Sequence, residues 1–391
     1  RERGLVYISY LDRQSLVKGD GTNVQGTIMR LDLNRQPLAI EEALLDKPAH
    51  LRTHGLSLYV DPAGQRSLFV INHPVNRGAE PELVEVFDEV GPGQFRHRET
   101  FSSPLFYSPN DMAAVGPRQF YVANDKPMKG GMAGTLQQFG IGASPLTYFD
   151  GAAAQVVNED IASGGGINVS ADGGTLYVSE TSGQRLRVLA RNPADGSVTE
   201  TARIALPTSP DNVDVAADGS LWVTGHANTV KLIQHFINGS PAPTQVLRVV
   251  PGDGGDATVD EIYLNAVDQI SAGSVGVAGS LSHERVTSWV FGTALVMPVF
   301  EGALITNHGS SGMPLALASR AISMTPGSHA SVEVPNTMAS RPNALHGSSR
   351  TVSENPRMSE PPKPPSVTTF ELSGATMPPP TGGPSALVWS L

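Results

Sequence analysis

Three polar clusters in this chain carry residue types suited to holding a hard cation. Asn110-Asp111 starts twelve residues before Val122, and Asp211-Asn212 starts twelve before Val223. Gly165-Gly166-Ile167-Asn168 starts thirteen before Val178, and a longer fourth slot ahead of Val70 holds His54-Gly55-Leu56. Carboxylates, carboxamides and backbone carbonyls are the oxygen ligands that Ca²⁺ takes, about six to eight at a time. No cysteine is present, and no His/Cys pattern suited to zinc occurs at this spacing. Asn-Asp and Asp-Asn pairs are also common in turns, so the recurrence of one offset, rather than any single pair, points to a metal.

The valines that set this offset belong to a repeat. VYIS (6–9), FVIN (69–72), YVAN (121–124), YVSE (177–180), WVTG (222–225) and LITN (304–307) are apolar β-forming runs, each closed by a small or polar residue. With Ile8, Val70, Val122, Val178, Val223 and Ile305 as equivalents, the steps are 62, 52, 56, 45 and 82 residues. Periods of this size match one four-stranded propeller blade with its loops. Six copies predict an all-β, six-bladed β-propeller. About twelve residues before each repeat, the blade's innermost strand should begin, so the polar clusters of different blades meet on the axis. The same offset in the first blade falls at position −4, ahead of Arg1.

Turn chemistry supports this reading. DPAG (61–64), ADGG (171–174), PADG (193–196) and AADG (216–219) are hairpin signals, two of them directly before repeat strands. Helical patterns are scarce, and 40–45 is long enough for only a turn or two. Trp222 and Tyr177 fall at blade-strand positions and read as core.

The formal charge of −10 disfavours nucleic acid and acidic membrane surfaces as partners. Without cysteine there is no disulfide and no thiol nucleophile. The longest apolar run, 286–300, is shorter than the ~20 residues a membrane-spanning helix needs, so a soluble protein is expected. The sequence identifies neither compartment nor oligomeric state. The chain opens at Arg1 without Met, four residues from its first strand, and reads as a fragment whose start is missing.

Three stretches break the pattern. Residues 127–143, rich in Met and Gly, read either as a lid over one propeller face or as a surface loop. Residues 279–300 lengthen the last step and read as an atypical insertion. The propeller is expected over 1–311, followed by a low-complexity, disordered Pro/Ser-rich tail over 312–391; both the insertion and the tail are expected to be foreign to the domain.

The segments THGLS (53–57), LFVINHP (68–74), PNDMAAVGPRQFYVAND (109–125), GINVSADGGTLYVSE (166–180), PDNV (210–213) and LWVTGH (221–226) resemble the paraoxonase/arylesterase family. These are Ca²⁺-dependent six-bladed propellers related to the gluconolactonases. The likeness runs over about 4–275, weakens over 301–310 and stops there. It implies two calcium ions in the central tunnel, one catalytic and one structural. Asn110, Asp211 and Asn212 fall on ligands of the catalytic ion, and Asp111 and the Leu56 carbonyl on the structural site. His54 matches the proposed catalytic base, His73 its assisting histidine, and His226 a pocket residue; Asn168 is placed in the substrate pocket with it. Two departures stand out. The family's Glu-Asp pair would lie before Arg1, and Gly165 replaces the first Asn of Asn-Gly-Ile-Asn, with Asn168 no obvious substitute.

The chemistry so implied is hydrolysis of a lactone, aryl ester or phosphotriester, the metal polarising the substrate and a histidine activating water. The alternative is a propeller that binds a ligand or protein without catalysis, or an inactive fragment with an incomplete metal site, since fold alone confers no activity. Asn124-Asp125 reads either as support for the site or as a strand-ending turn.

Overall fold

The structure is a computed structural model. It describes residues 4–12, 24–35, 39–77, 79–126, 143–265 and 270–278, and beyond them the backbone of 286–292, 295–300, 322–323, 331–335, 367–371 and 387–390. Residues 127–142 of the 127–143 insertion and the repeat at 304–307 lie outside the described residues.

The architecture is an all-β propeller, and the repeat segments are the second strands of its blades. The first blade runs β26–β1–β2–β3, with β1 (Leu5–Asp12), β2 (Thr27–Asp32), β3 (Ala39–Glu42) and β26 (Leu387–Ser390). The second is β4 (Thr53–Val60), β5 (Arg66–Asn72), β6 (Leu83–Gly91) and β7 (Gln94–Ser102). The third is β8 (Pro109–Ala114), β9 (Phe120–Asn124), β10 (Ser144–Phe149) and β11 (Ala154–Ile161). The fourth is β12 (Gly164–Val169), β13 (Thr175–Glu180), β14 (Arg185–Arg191) and β15 (Val198–Ala205). The fifth is β16 (Ser209–Val215), β17 (Leu221–His226), β18 (Thr244–Pro251) and β19 (Ala257–Asn265). All neighbouring strands pair antiparallel.

The expected count of six is corrected to five blades. The sixth repeat is not among the described residues, and the sheet after β19 is built from other sequence. It consists of β20 (Val275–Ala278), β21 (Val286–Gly292), β22 (Leu295–Phe300) and β23 (Ile322–Ser323), with β20 packed on β16 and β17. The stretch expected to be an insertion therefore contains a β-hairpin, β21–β22. Within 312–391, where only a disordered tail is expected, short strands occur: β23, β24 (Ser331–Pro335), β25 (Val367–Glu371) and β26. β26 pairs with β1 in the register Ser9↔Ser390 to Asp12↔Leu387, joining the chain's end to its first blade.

The core lies between blades rather than within them, because successive side chains of a strand face opposite sides of its sheet. Phe120 and Val122 of β9 pack with Phe69, Val84 and Val86 of the second blade, while Tyr121 and Ala123 pack with Ile167, Leu176 and Val178 of the fourth. Strand β9 is thus buried on both faces, and every residue of FYVAN is buried. Each such large apolar side chain is worth about 1.5–3 kcal/mol. Trp222 packs with Val246, Tyr263 and Ile270, and Tyr177 joins the cluster between the fourth and fifth blades, as the core reading expects. Gly173 and Gly219 adopt φ of 73° and 80°, the left-handed conformation that their turns require.

Two local readings are corrected. Residues 39–42 form strand β3, not a helical turn. The sequence reading also missed a helix, α1 (Thr229–Asn238), capped by the Asn228 side chain at its start and left-handed Gly239 at its end. Among the described residues, no helix is long and apolar enough to cross a membrane.

Candidate active site

Four consecutive inner strands share one defect. The pairing of β4 with β5 jumps from Thr53↔Asn72 to Leu56↔Val70, and that of β8 with β9 from Pro109↔Asn124 to Asp111↔Ala123. It jumps likewise from Gly164↔Glu180 to Ile167↔Val178 and from Pro210↔Gly225 to Val213↔Val223. Every jump places one extra residue on the inner strand. The bulged residues are His54-Gly55, Asn110, Gly165-Gly166 and Asp211-Asn212, the clusters marked by the sequence offset. A bulge re-aims side chains out of the ladder, and all four bulges fall at the N-terminal ends of the inner strands.

Polar side chains on the second strands hold the bulges in place. Asn72 Oδ1 accepts from Arg52 N–H (2.8 Å), Asn124 Oδ1 from Ser108 N–H (3.0 Å) and Glu180 Oε1 from Ala162 N–H (2.9 Å), in each case just ahead of the inner strand. The final residue of FVIN, YVAN and YVSE is thus a clamp within its blade. Asn124 is completely buried and also donates to the Pro145 carbonyl, which resolves its role as support rather than a turn. Within the fourth blade Gly166 N–H donates to Ser179 Oγ (2.6 Å); between blades, Ser179 Oγ donates to the Asp211 carbonyl and Thr181 Oγ1 to the Pro210 carbonyl (2.8 Å).

At the centre, Asp111 is buried and its two oxygens differ. Oδ2 accepts from Ile167 N–H (3.0 Å), whereas Oδ1 has no hydrogen-bond partner. Burial pushes its pKa up to about 8; hydrogen bonds from Ile167 and Met112 oppose the rise, and the charge of Asp211 adds to it. The carboxylate thus lies in a place that disfavours its own charge. Gly55 makes the close approach possible: a Cβ there would sit 2.6 Å from both the Asn110 carbonyl oxygen and Asp111 Oδ1. Asn212 donates its amide to the Ser274 carbonyl (3.1 Å), which turns its oxygen the other way. Asp211 Oδ2 lies 3.3 Å from His226 Nε2. Leu56, Asp111, Asn168 and Asn212 line one cavity of about 380 Å³, bounded by inner strands of four blades, by β1 and by Val275.

A chain of imidazoles starts beside this site. His54 Nδ1 is 2.6 Å from His73 Nε2, and His73 Nδ1 is 2.6 Å from Glu82 Oε2. Glu82 Oε1 accepts from Arg77 Nε (2.9 Å), and Arg77 also donates to Ser108 Oγ (3.2 Å). Antiparallel pairing of β4 and β5 brings the start of one strand beside the end of the other, which joins two histidines nineteen residues apart. Sequence reasoning paired these histidines only through the family resemblance, and it missed Glu82 and Arg77 altogether.

The sequence profile of the Arylesterase family matches residues 4–294. The chain belongs to the arylesterase family. Serum paraoxonase/arylesterase 2 of Gallus gallus is 28% identical over 265 residues, covering 66% of this chain and 73% of that protein. Serum paraoxonase/arylesterase 1 of Homo sapiens is 28% identical over 252 residues, 63% and 70% of the two chains. A gluconolactonase from Xanthomonas campestris superposes with a TM-score of 0.39 at 18% identity, over 68% of this chain and 79% of its own. In this arylesterase-family chain the match runs on into 279–294, within the stretch expected to be foreign.

The departure at Gly165 is built into the packing. A Cβ there would sit 2.6 Å from Thr181 Oγ1 and 3.1 Å from the Asp211 carbonyl and Ser179 Oγ, so the clamp between blades occupies the space of a larger side chain. Asn168 does not replace it. Its amide donates to the Val213 carbonyl (3.2 Å), and its oxygen accepts from Val169 N–H (2.8 Å), so both ends are engaged by backbone. Among the described residues, no group of three or more His, Cys, Asp or Glu is placed to hold a metal. The expected ligands include only two carboxylates, Asp111 and Asp211, with carboxamides and a carbonyl supplying the rest.

Proposed function

We propose that this chain is a calcium-dependent hydrolase of small lactones, aryl esters or phosphotriesters. The single observation that carries the reading is Asp111: a buried carboxylate with one unpartnered oxygen costs stability unless a cation faces it. The donor set is all oxygen and fits Ca²⁺. Asn110, Asp211 and Asn212 would hold one ion, and Asp111 with the Leu56 carbonyl a second. When bound, Ca²⁺ supplies an electrophile for the substrate's carbonyl or phosphoryl oxygen and for the negative charge that develops there.

The residues of the chain do the rest. His54 takes a proton from the attacking water, a role worth typically ~10²–10⁴-fold. His73 holds the other nitrogen of that ring, so His54 cannot rotate away as it gains charge. Asp211 receives His226 and keeps its ring at the same end of the channel. The clamps from Asn72, Asn124 and Glu180 fix the bulges, so these groups are in position before substrate arrives.

A second reading, a propeller that binds ligand without turning it over, is favoured by Gly165, which contributes no side-chain oxygen and leaves no room for one. Hydrolysis of phenyl acetate and of δ-valerolactone separates the two. The proposal expects activity that a chelator abolishes, that Ca²⁺ restores, and that falls by about 10²-fold or more in His54→Gln. Calcium binding with no turnover would select the second reading.

A further inference from the structure

Glu82 belongs to none of the repeated patterns. It precedes β6, nine residues beyond His73, and is 1% exposed. Its two oxygens have separate tasks, Oε2 facing His73 Nδ1 and Oε1 accepting from Arg77 Nε. A carboxylate only accepts hydrogen bonds, a guanidinium only donates, and a neutral imidazole donates from one nitrogen and accepts at the other. Those rules leave one arrangement of protons for the neutral pair.

We propose that Glu82 is a positioning residue that sets, through His73, which nitrogen of His54 carries the lone pair. The inference rests on the reading of His54 as the base. Because Glu82 Oε2 accepts, His73 carries its proton on Nδ1. His73 Nε2 is then the acceptor, so His54 must donate from Nδ1 across the 2.6 Å contact. The lone pair of His54 therefore falls on Nε2, the nitrogen turned away from His73. The opposite tautomer would put a proton there, and a protonated nitrogen takes no proton from water. Arg77 locks the first link by occupying Oε1, and Arg52, through its own long contacts to the Pro74 and Val75 carbonyls (3.5 and 3.3 Å), holds the backbone that leads from His73 toward Arg77.

The arrangement makes an unusual prediction for the isosteric variant Glu82→Gln. Arg77 can only donate, so it claims the one amide oxygen, and the amide NH₂ then faces His73. That forces His73 to accept at Nδ1 and to donate from Nε2, and His54 to accept at Nδ1 and carry its proton on Nε2. Removing Arg77 as well, in Glu82→Gln/Arg77→Ala, lets the amide turn its oxygen back to His73.

The test combines ¹⁵N imidazole spectra of histidine-labelled full-length protein with phenyl acetate kinetics. In the unaltered protein His54 should be protonated on Nδ1. Glu82→Gln should move that proton to Nε2 and lower kcat by about 10²-fold with little change in KM, the loss expected for a base in the wrong tautomer. The double variant should restore the spectrum and regain about tenfold or more in kcat. A role confined to stability would not give such a recovery, and the melting temperature of each variant identifies unfolding as a cause. An unchanged spectrum and kcat in Glu82→Gln, with His54→Gln inactive, would overturn the role of Glu82 and leave the base in place. A fully active His54→Gln would instead overturn the base reading, and the positioning role with it.

Discussion

Replacing Asp111 by Asn tests the metal site through stability alone, independently of catalysis. In the chelated protein the folded-state pKa of Asp111 is raised to about 8 from 3.8. A carboxyl shifted upward stabilises the fold most below its unfolded pKa, and that contribution is lost as pH rises toward the folded value. At about 1.36 kcal/mol per unit, the stability of the original protein relative to Asp111→Asn should fall by up to about 4 kcal/mol between about pH 5 and about pH 8. The amide cannot ionise, so its own contribution is flat. Urea unfolding in chelator across this range gives the difference directly, and titrating groups that do not interact with Asp111 cancel in the subtraction. Calcium should reverse the order: at about 100 times Kd it adds about 2.7 kcal/mol to the original protein, and markedly less to the variant. Parallel pH profiles for the two proteins in chelator would refute the reasoning.

Three more substitutions probe the frame. Gly55→Ala puts a methyl 2.6 Å from the Asn110 carbonyl and Asp111 Oδ1, so β4 and β8 must separate; calcium affinity by calorimetry should fall by about tenfold or more, since first-neighbour geometry of this kind is sensitive to small shifts. Asn124→Ala strips the acceptor from the buried Ser108 N–H and should cost about 1–3 kcal/mol in urea unfolding. Arg187, 1% exposed, joins the buried Glu180 (Nε to Oε1, 3.0 Å) to Asp160 (2.8 Å) and to Glu200. Arg187→Met should cost about 3 kcal/mol or more, because it leaves Glu180 buried with only Arg185 opposite.

What the sequence made legible was the part governed by period. Val70, Val122, Val178 and Val223 mark second strands because a strand buried on both faces must be a continuous apolar run. The offset of twelve led to Asn110 and Asp211 because both blades insert the same single bulged residue. The bulge itself leaves no residue signature, so the reason for the offset emerged only in the strand register. Glu82 was illegible for a related cause: its partner lies across a loop between β5 and β6 whose length follows no period. Helix α1 escaped notice because Val230, Ile233 and Ile237 are exposed while Leu232 is buried, so its apolar residues do not mark one buried face. The closing strand β26 lies far from its partner in a stretch whose composition argues against order, and only the pairing with β1 reveals it.

Electron density from calcium-soaked crystals tests the central claim most directly. An ion should lie within about 2.3–2.6 Å of Asp111 Oδ1, with the side-chain oxygens of the neighbouring bulges turned toward the channel. A fully calcium-saturated crystal with no ion at Asp111, and its carboxyl still unpartnered, would contradict it.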